Sequence, residues 1–109
     1  NERNELIASI TLYESDECMW GERGVDHTAL YMHKVMKDPF LAPHGIGKVL
    51  VEMAASNAKS RDKMFLRCDT HTAKTTLVNY YISLGFKKVG SSIYIPAGGL
   101  EATLLELSI

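Results

Sequence analysis

One stretch of the chain constrains its fold more than any other, because a strand pattern stops at prolines and restarts as a helix through two glycines. Thr28 to Met36 reads as a strand, and Pro39 and Pro43 then exclude a continuing helix or central strand. Gly45-Ile46-Gly47 follows, and apolar residues then recur at helical spacing. The predicted stripe of this helix consists of Ile46, Val49, Leu50, Met53, Ala54 and Ala58.

The remaining elements follow from apolar runs and turn residues. The predicted strands are Leu6–Tyr13, Met64–Asp69, Phe86–Ile95 and Ala102–Ile109, and a second helix covers Thr75–Leu84 before a left-handed Gly85. Its predicted stripe is Leu77, Tyr80, Tyr81 and Leu84. Glu14 to Asp26 reads as a long hairpin connection with Trp20 as a packed anchor. The order predicts a mixed α/β (α+β) fold, with a mostly antiparallel central sheet, a parallel βαβ pair and flanking helices.

Composition limits the function classes. The 109 residues are 46% hydrophobic and 23% charged with a net charge of -1, as expected for one globular domain spanning residues 1–109. Near neutrality gives no reason to expect nucleic acid or an anionic membrane as partner. Cys18 and Cys68 form no CxxC pair, which favours a reducing, cytoplasmic setting. The spacing of His27, His44 and His71 predicts no metal site.

The glycine pair suits an anion. A helix start leaves backbone N–H groups unpaired, glycines let a ligand approach the backbone, and the helix dipole favours negative charge, so a phosphate or pyrophosphate fits there. A tight βα connection without a ligand is the alternative. The loop is not a Rossmann fingerprint, because Leu50 occupies the third glycine position, nor a Walker loop, because Val49 follows Gly47-Lys48.

Two motifs in this order resemble the Gcn5-related N-acetyltransferase (GNAT) superfamily. The family's Q/R-x-x-G-x-G/A loop falls on Ala42 to Gly47, and its N-x-x-A-x-x-x-Y-x-x-x-G-F helix falls on Lys74 to Phe86. The resemblance covers about Leu6 to Ile109. It implies the GNAT fold, here without the first strand and two helices that usually precede these elements. We therefore expect an N-terminal part to be missing.

The resemblance implies acetyl-CoA as cosubstrate and direct attack of a primary amine on its thioester, with no covalent enzyme intermediate. The implied cofactor-binding residues are Val35, Met36, Lys37, Pro43, His44, Gly45, Ile46, Gly47, Lys48 and Lys74. The Val35 N–H is the expected donor to the thioester carbonyl. The acceptor would be a small-molecule or peptide amine, no metal is implied, and a homodimer is compatible with the sequence.

Two side chains are the implied catalytic residues. Tyr81 matches the family tyrosine that protonates the departing CoA thiolate, and its motif position favours this role over the alternative, a core-facing aromatic of the second helix. His33 matches one of two histidines that relay a proton in arylalkylamine-type members, and Tyr31, on the same strand face, replaces the other. A hydrogen-bonded structural histidine is the alternative reading of His33.

The loop departs from the family pattern at Ala42 and Pro43, and the helix departs at Lys74 and Leu77. These departures keep a second function open, a non-catalytic acyl-CoA-binding or interaction module of the same fold. An unrelated nucleotide-binding α/β domain is the third reading.

Overall fold

The computed structural model describes residues 8–37, 45–94 and 98–109, which form one five-stranded sheet with helices on both faces. The strands are β1 (Ala8–Tyr13), β2 (Ala29–Lys37), β3 (Phe65–His71), β4 (Lys87–Tyr94) and β5 (Leu100–Ser108). The helices are α1 (Glu17–Trp20), α2 (Ile46–Ser60) and α3 (Thr75–Ser83), and a 3-10 turn covers Gly21–Val25.

The sheet has the order β1-β2-β3-β5-β4. β2 and β3 are parallel and are separated in sequence by α2, whereas the three other strand pairs are antiparallel. The predicted mixed fold, with one βαβ pair in a mostly antiparallel sheet, is therefore confirmed.

Each face of the sheet carries its own hydrophobic core. On one face α2 and α3 pack on the sheet through the buried residues Leu30, Met32, Val51, Ala54, Ala58, Leu66, Cys68, Tyr81, Phe86 and Leu105. On the other face α1 packs through Met19, Trp20, Ala29, Tyr31, Ala102 and Leu104. Trp20 is thus the predicted packed anchor, and Cys68 is the expected buried small side chain.

The predicted stripe of α2 is partly wrong. Leu50, Ala54 and Ala58 are buried as expected, but Val49 and Met53 are 45% and 63% exposed. Val51 is buried instead. Residues 50, 51, 54 and 58 define a face rotated by about one residue from the predicted one, and its alanines bring the helix close to the sheet.

The segment predicted as a long hairpin connection, Glu14 to Asp26, does join the antiparallel strands β1 and β2, and it contains α1 and the 3-10 turn. The side chain of Asp16 accepts a hydrogen bond of 3.3 Å from the backbone N–H of Met19 and so caps α1. The glycines in this segment, which suggested a loop, lie at the end of α1 and in the 3-10 turn. No helix in the described ranges is long and apolar enough to cross a membrane.

Candidate functional site

The parallel strands β2 and β3 separate partway along their length. Their described ladder runs only from Ala29 opposite Phe65 to Tyr31 opposite Arg67, whereas β2 continues to Lys37 and β3 to His71. The other edge of β2 stays paired with β1 as far as Lys37. The two strands therefore form a fork that opens beyond Tyr31.

A β-bulge lies in the arm of β2. Ser9 pairs with Met36 and Thr11 with His33, so β2 has one more residue than β1 in this interval. Bulges bend a strand and are common beside functional sites. Here the bulge lies between His33 and Met36, in the part of β2 that no longer pairs with β3.

A cavity of about 650 Å³, the fork cavity, occupies the opening between β2 and β3. The lining residues relevant to chemistry are Asp16, His33, Asp69, His71, Lys74 and Tyr81. Met32 and Cys68, which belong to the core under α2 and α3, line it as well. The fork cavity therefore reaches side chains from both faces of the sheet.

A second cavity, the interhelix groove, lies between α2 and α3 and has a volume of about 660 Å³. It is lined by Gly47 and Leu50 of α2 and by residues 73–77, Tyr80 and Tyr81 at α3. Lys74, Leu77 and Tyr81 line both cavities.

Helix α2 begins without a side-chain cap. Gly45 is the N-cap residue and has a φ of 88°, a left-handed conformation that glycine adopts without strain. The space that a Cβ would occupy at Gly45 is open. The N–H groups of the first turn are thus left without a capping side chain at the edge of the interhelix groove.

Gly47 has a different role from Gly45. A Cβ at this position would collide with the hydroxyl of Tyr80, which packs over the first turn of α2. The absence of a side chain at Gly47 therefore admits Tyr80, a packing role that sequence reasoning missed. Tyr80 itself remains 39% exposed.

Tyr81 is 7% exposed and makes edge-on ring contacts with Tyr80 and Phe86. Burial, followed by the nearby Cys68 and Tyr80, raises the pKa of Tyr81 to about 12. A tyrosine with this pKa stays protonated near neutral pH, so Tyr81 presents a hydrogen-bond donor to the cavities that it lines.

His33 lies in an acidic surrounding. Its Nε2 is 3.0 Å from Oδ2 of Asp16, and the centre of its ring lies 4.9 Å from that of Tyr13, with the two rings tilted by 46°. One donor atom from each of Asp16, His33 and Asp69 can be chosen so that all three lie within 4.8 Å of one another. Burial raises the pKa of Asp69, with a further contribution from Asp16, while His33 and His71 act in the opposite direction.

Sequence reasoning identified His33 but missed Asp16 and Asp69. The available signals were weak: Asp16 precedes a short helix in the manner of a cap, and Asp69 belongs to a strand with His71 two residues later. Only the fork brings these carboxylates to the histidine.

Arg67 fixes the closed end of the fork. It is 3% exposed, its Nε is 2.8 Å from Glu106, and its NH1 donates to the Tyr31 hydroxyl at 2.7 Å. Its guanidinium also lies 5.1 Å from the ring centre of Trp20. Burial acts to lower the pKa of Arg67, but the contacts with Glu106 and Tyr31 outweigh it and raise that pKa.

The structure places the predicted site residues in two groups. His33 and Tyr81 both line the fork cavity, Gly47 and Tyr81 line the interhelix groove, and Lys74 lines both. Gly45, Ile46 and Lys48 belong to the start of α2. The backbone of Val35, Met36 and Lys37 follows the open arm of β2. Their side chains, together with Ala42, Pro43 and His44, lie outside the described residues.

The strand order, the parallel β2–β3 pair and the flanking helices match the fold of solved GNAT acetyltransferases. A GNAT-family acetyltransferase from Listeria monocytogenes superimposes with a TM-score of 0.82 at 19% identity, over 100% of this chain and 61% of that one. A family member from Elizabethkingia anophelis gives 0.78 at 17% identity, over 97% and 71%. A chimeric spermidine N-acetyltransferase from Vibrio cholerae gives 0.73 at 13%, over 99% and 63%.

This chain thus has the GNAT fold, which confirms the fold implied by the sequence resemblance. The chain spans about three fifths of the Listeria protein. No protein-family profile matches the sequence, and no curated protein matches it significantly.

Proposed function

We propose that this protein is an acetyl-CoA-dependent N-acetyltransferase that transfers an acetyl group to a primary amine. The observation that carries the proposal is the fork cavity, where a backbone arm, a histidine and a protonated tyrosine converge at one end of the interhelix groove. The Elizabethkingia protein of the same fold was solved with acetyl-CoA bound.

The start of α2 is the proposed seat of the pyrophosphate. The helix has no side-chain cap, so the N–H groups of Gly45, Ile46, Gly47 and Lys48 suit an anion. Pro43 and His44, which lie outside the described residues, are assigned to the same ligand by the family pattern alone. Lys74, which lines both cavities, would place its ammonium along the same ligand.

The open arm of β2 is the proposed track for the pantetheine chain. Beyond Tyr31 the described ladder with β3 ends, so backbone groups from Val35 to Lys37 face the fork without that partner strand. The chain would add to β2 as a pseudo-strand. We assign polarisation of the thioester carbonyl to the Val35 N–H, which lies in the interval of the bulge.

The proposed reaction is direct attack. The amine nitrogen forms a bond to the thioester carbon, and the C–S bond breaks to release CoA. Before attack, His33, beside Asp16, accepts a proton from the acceptor ammonium. After attack, Tyr81 donates a proton to the departing thiolate, and the second proton lost by the acetylated nitrogen reprotonates Tyr81 through solvent. His33 approaches from the α1 face and Tyr81 from the α2–α3 face, so proton removal and proton delivery lie on opposite sides of the thioester.

The acceptor is assigned only by chemical class. The Vibrio relative is named for spermidine, a polyamine, and two carboxylates beside His33 suit a cationic amine. A peptide amine fits the same class.

A cytoplasmic location is also part of this proposal. Both cysteine thiols are free, which suits a reducing compartment.

A test combines binding and transfer in the full chain. Calorimetry is expected to show acetyl-CoA binding that ATP and NAD do not reproduce. Mass spectrometry should then detect acetylated product in a panel of polyamines, amino acids and peptides. Product is the better readout because Cys18 is exposed and would react with thiol reagents. Absence of acetyl-CoA and CoA binding would refute the proposal.

A non-catalytic acyl-CoA-binding module is the second candidate. The departures from the family pattern at Ala42, Pro43 and Lys74 favour it. Tight acetyl-CoA binding with no acetylated product over the whole panel would select this function.

A further inference from the structure

Three potential metal ligands from distant parts of the chain meet in the fork cavity. Asp16 caps α1, His33 lies on β2 and Asp69 on β3, and their chosen donor atoms lie within 4.8 Å of one another. Two carboxylates and an imidazole form a mixed oxygen and nitrogen set rather than a purely acidic cluster.

The carboxylate of Asp16 provides a second, independent observation. Its side chain is only 8% exposed, and its Oδ1 is used as the cap of α1. Its Oδ2 is buried and accepts no hydrogen bond within the described part of the chain, although Nε2 of His33 lies 3.0 Å away. A proton on Nε2 of His33 or a cation shared by the two atoms has to compensate this buried oxygen, since two lone pairs that face each other at 3.0 Å would repel.

The close pair has the separation expected of two ligands of one ion. Zinc binds nitrogen and carboxylate oxygen at about 2.0–2.2 Å, so adjacent ligands of a tetrahedral site are about 3.4 Å apart. Oδ2 of Asp16 and Nε2 of His33 are 3.0 Å apart, so a small outward movement would bring them to this separation. The Asp69 carboxylate has to move inward by about 1–1.5 Å at most, which a side-chain rotation supplies.

Electrostatics favour a cation at the same place. The chosen oxygens of Asp16 and Asp69 lie within 4.8 Å of each other, so two carboxylates share this part of the fork cavity. A divalent ion between the two carboxylates would neutralise them together.

We propose that Asp16, His33 and Asp69 form a binding site for a divalent transition metal of the zinc class. The imidazole favours zinc, nickel or copper over magnesium and calcium, which require about six oxygen ligands. Three protein ligands leave one coordination position open towards the fork cavity. The site does not depend on the proposed transferase activity.

One consequence does rest on the proposed function. A metal on Nε2 of His33 occupies the lone pair that would accept the acceptor's proton. Bound zinc is therefore expected to inhibit acetyl transfer, and removal of zinc by a chelator should restore it.

The experiment measures Zn²⁺ binding to the full chain after treatment with a chelator, by equilibrium dialysis without acetyl-CoA. We expect about one zinc per chain, and Asp16→Asn, His33→Gln or Asp69→Asn should weaken binding by about 100-fold or more, since loss of even outer-shell groups costs about 10–100-fold. Visible absorption of bound Co²⁺ should change in the same variants.

The controls are designed to preserve the fold. Asn at position 16 keeps the cap acceptor, and thermal unfolding of each variant without metal checks its folding. Asp62→Asn and His27→Asn remove exposed groups elsewhere, and both sites have positive φ, which asparagine tolerates. These two variants should bind zinc like the wild type.

Three results would overturn the proposal. They are no Zn²⁺ or Co²⁺ binding by the wild type, unchanged binding in both Asp16→Asn and Asp69→Asn, and complete loss of binding in Cys18→Ser or His71→Gln. Cys18 and His71 also line the fork cavity, so loss of metal binding on their substitution would assign the metal to other ligands. A protein that binds acetyl-CoA but transfers nothing leaves this test unchanged.

Discussion

Arg67 shows how single residues hold the fork at a fixed place. It belongs to the last described pair of the β2–β3 ladder, and its guanidinium joins Tyr31 on β2, Glu106 on β5 and Trp20 on α1. A buried guanidinium is tolerated because its donors are used and its charge is paired. The strands therefore stay joined at Arg67 and separate only beyond it.

Replacing Arg67 with Met should be strongly destabilising. The apolar side chain leaves the half-buried Glu106 carboxylate and the Tyr31 hydroxyl without their donor, a loss of about 3–5 kcal/mol for a broken buried ion pair. Urea unfolding monitored by circular dichroism measures it. Arg61→Met is the matched control, because its pair with Glu14 is exposed and should contribute at most about 1 kcal/mol. Equal losses in the two variants would contradict this account.

Tyr81→Phe separates packing from chemistry. The ring contacts with Tyr80 and Phe86 remain, so acetyl-CoA affinity and stability should change little. If Tyr81 protonates the thiolate, kcat should fall by about 10²- to 10⁴-fold. Steady-state kinetics with a substrate found in the panel provide the measurement. Tyr80→Phe is the neighbouring control and should retain most of the turnover; unchanged kcat in Tyr81→Phe would remove this tyrosine from the mechanism.

The limits of sequence reasoning are also clearest for single residues. His33 and Tyr81 could be predicted from the sequence because each matches a position of the GNAT pattern. Each also lies on an element that the local apolar pattern predicts, a strand for His33 and a helix for Tyr81. Asp16 and Asp69 could not, because their position beside His33 depends on how far β2 and β3 diverge. That divergence is a long-range property of the sheet and leaves no local pattern.

At the scale of elements, period and turn chemistry predicted most of what is observed. Helix α2 was located by its repeat, but its buried face was misplaced because Val49 and Met53 fit an apolar stripe as well as Val51 does. The close approach of Ala54 and Ala58 to the sheet decides between the two faces. Helix α1 was not predicted, because its four residues form only about one turn and show no helical repeat.

Gly47→Ala tests the contact between α2 and α3, because its effect on the free energy of unfolding should depend on whether Tyr80 is present. In a helix, alanine is normally more stable than glycine by about 0.5–1 kcal/mol. Here the new Cβ would meet the Tyr80 hydroxyl, which would have to move aside, so in the wild type we expect this gain to be cancelled. In a Tyr80→Ala background the same substitution should become stabilising.

Urea unfolding of the four proteins completes this double-mutant cycle. Gly90→Ala is a second control, since a Cβ there meets only Leu104 at 3.8 Å, an ordinary contact. An effect of Gly47→Ala that is the same in both backgrounds would show that Tyr80 does not pack on this glycine.

For the whole molecule, the fork is the place where side chains from both faces of the sheet line the same cavity. Tyr31 and His33 belong to the α1 face of β2, whereas Met32 and Tyr81 belong to the α2–α3 face, yet His33, Met32 and Tyr81 line one cavity. A continuous parallel ladder would keep these side chains apart. The overall topology was predictable from sequence, but this opening was not, because it depends on the bulge and on where the ladder ends.

Hydrogen exchange can show whether acetyl-CoA occupies the fork of the intact protein. If the ligand pairs with β2 and with the start of α2, amides in residues 32–37 and 45–50 can exchange only after an opening that also releases the ligand. Bound ligand should therefore slow their exchange. At a ligand concentration of about 100 times Kd, exchange there should slow by up to about 100-fold, equivalent to about 2.7 kcal/mol. Amides of the edge strand β4, none of whose residues lines either cavity, open independently and should change little. Protection of β4 without protection of residues 32–37 would place the ligand outside the fork.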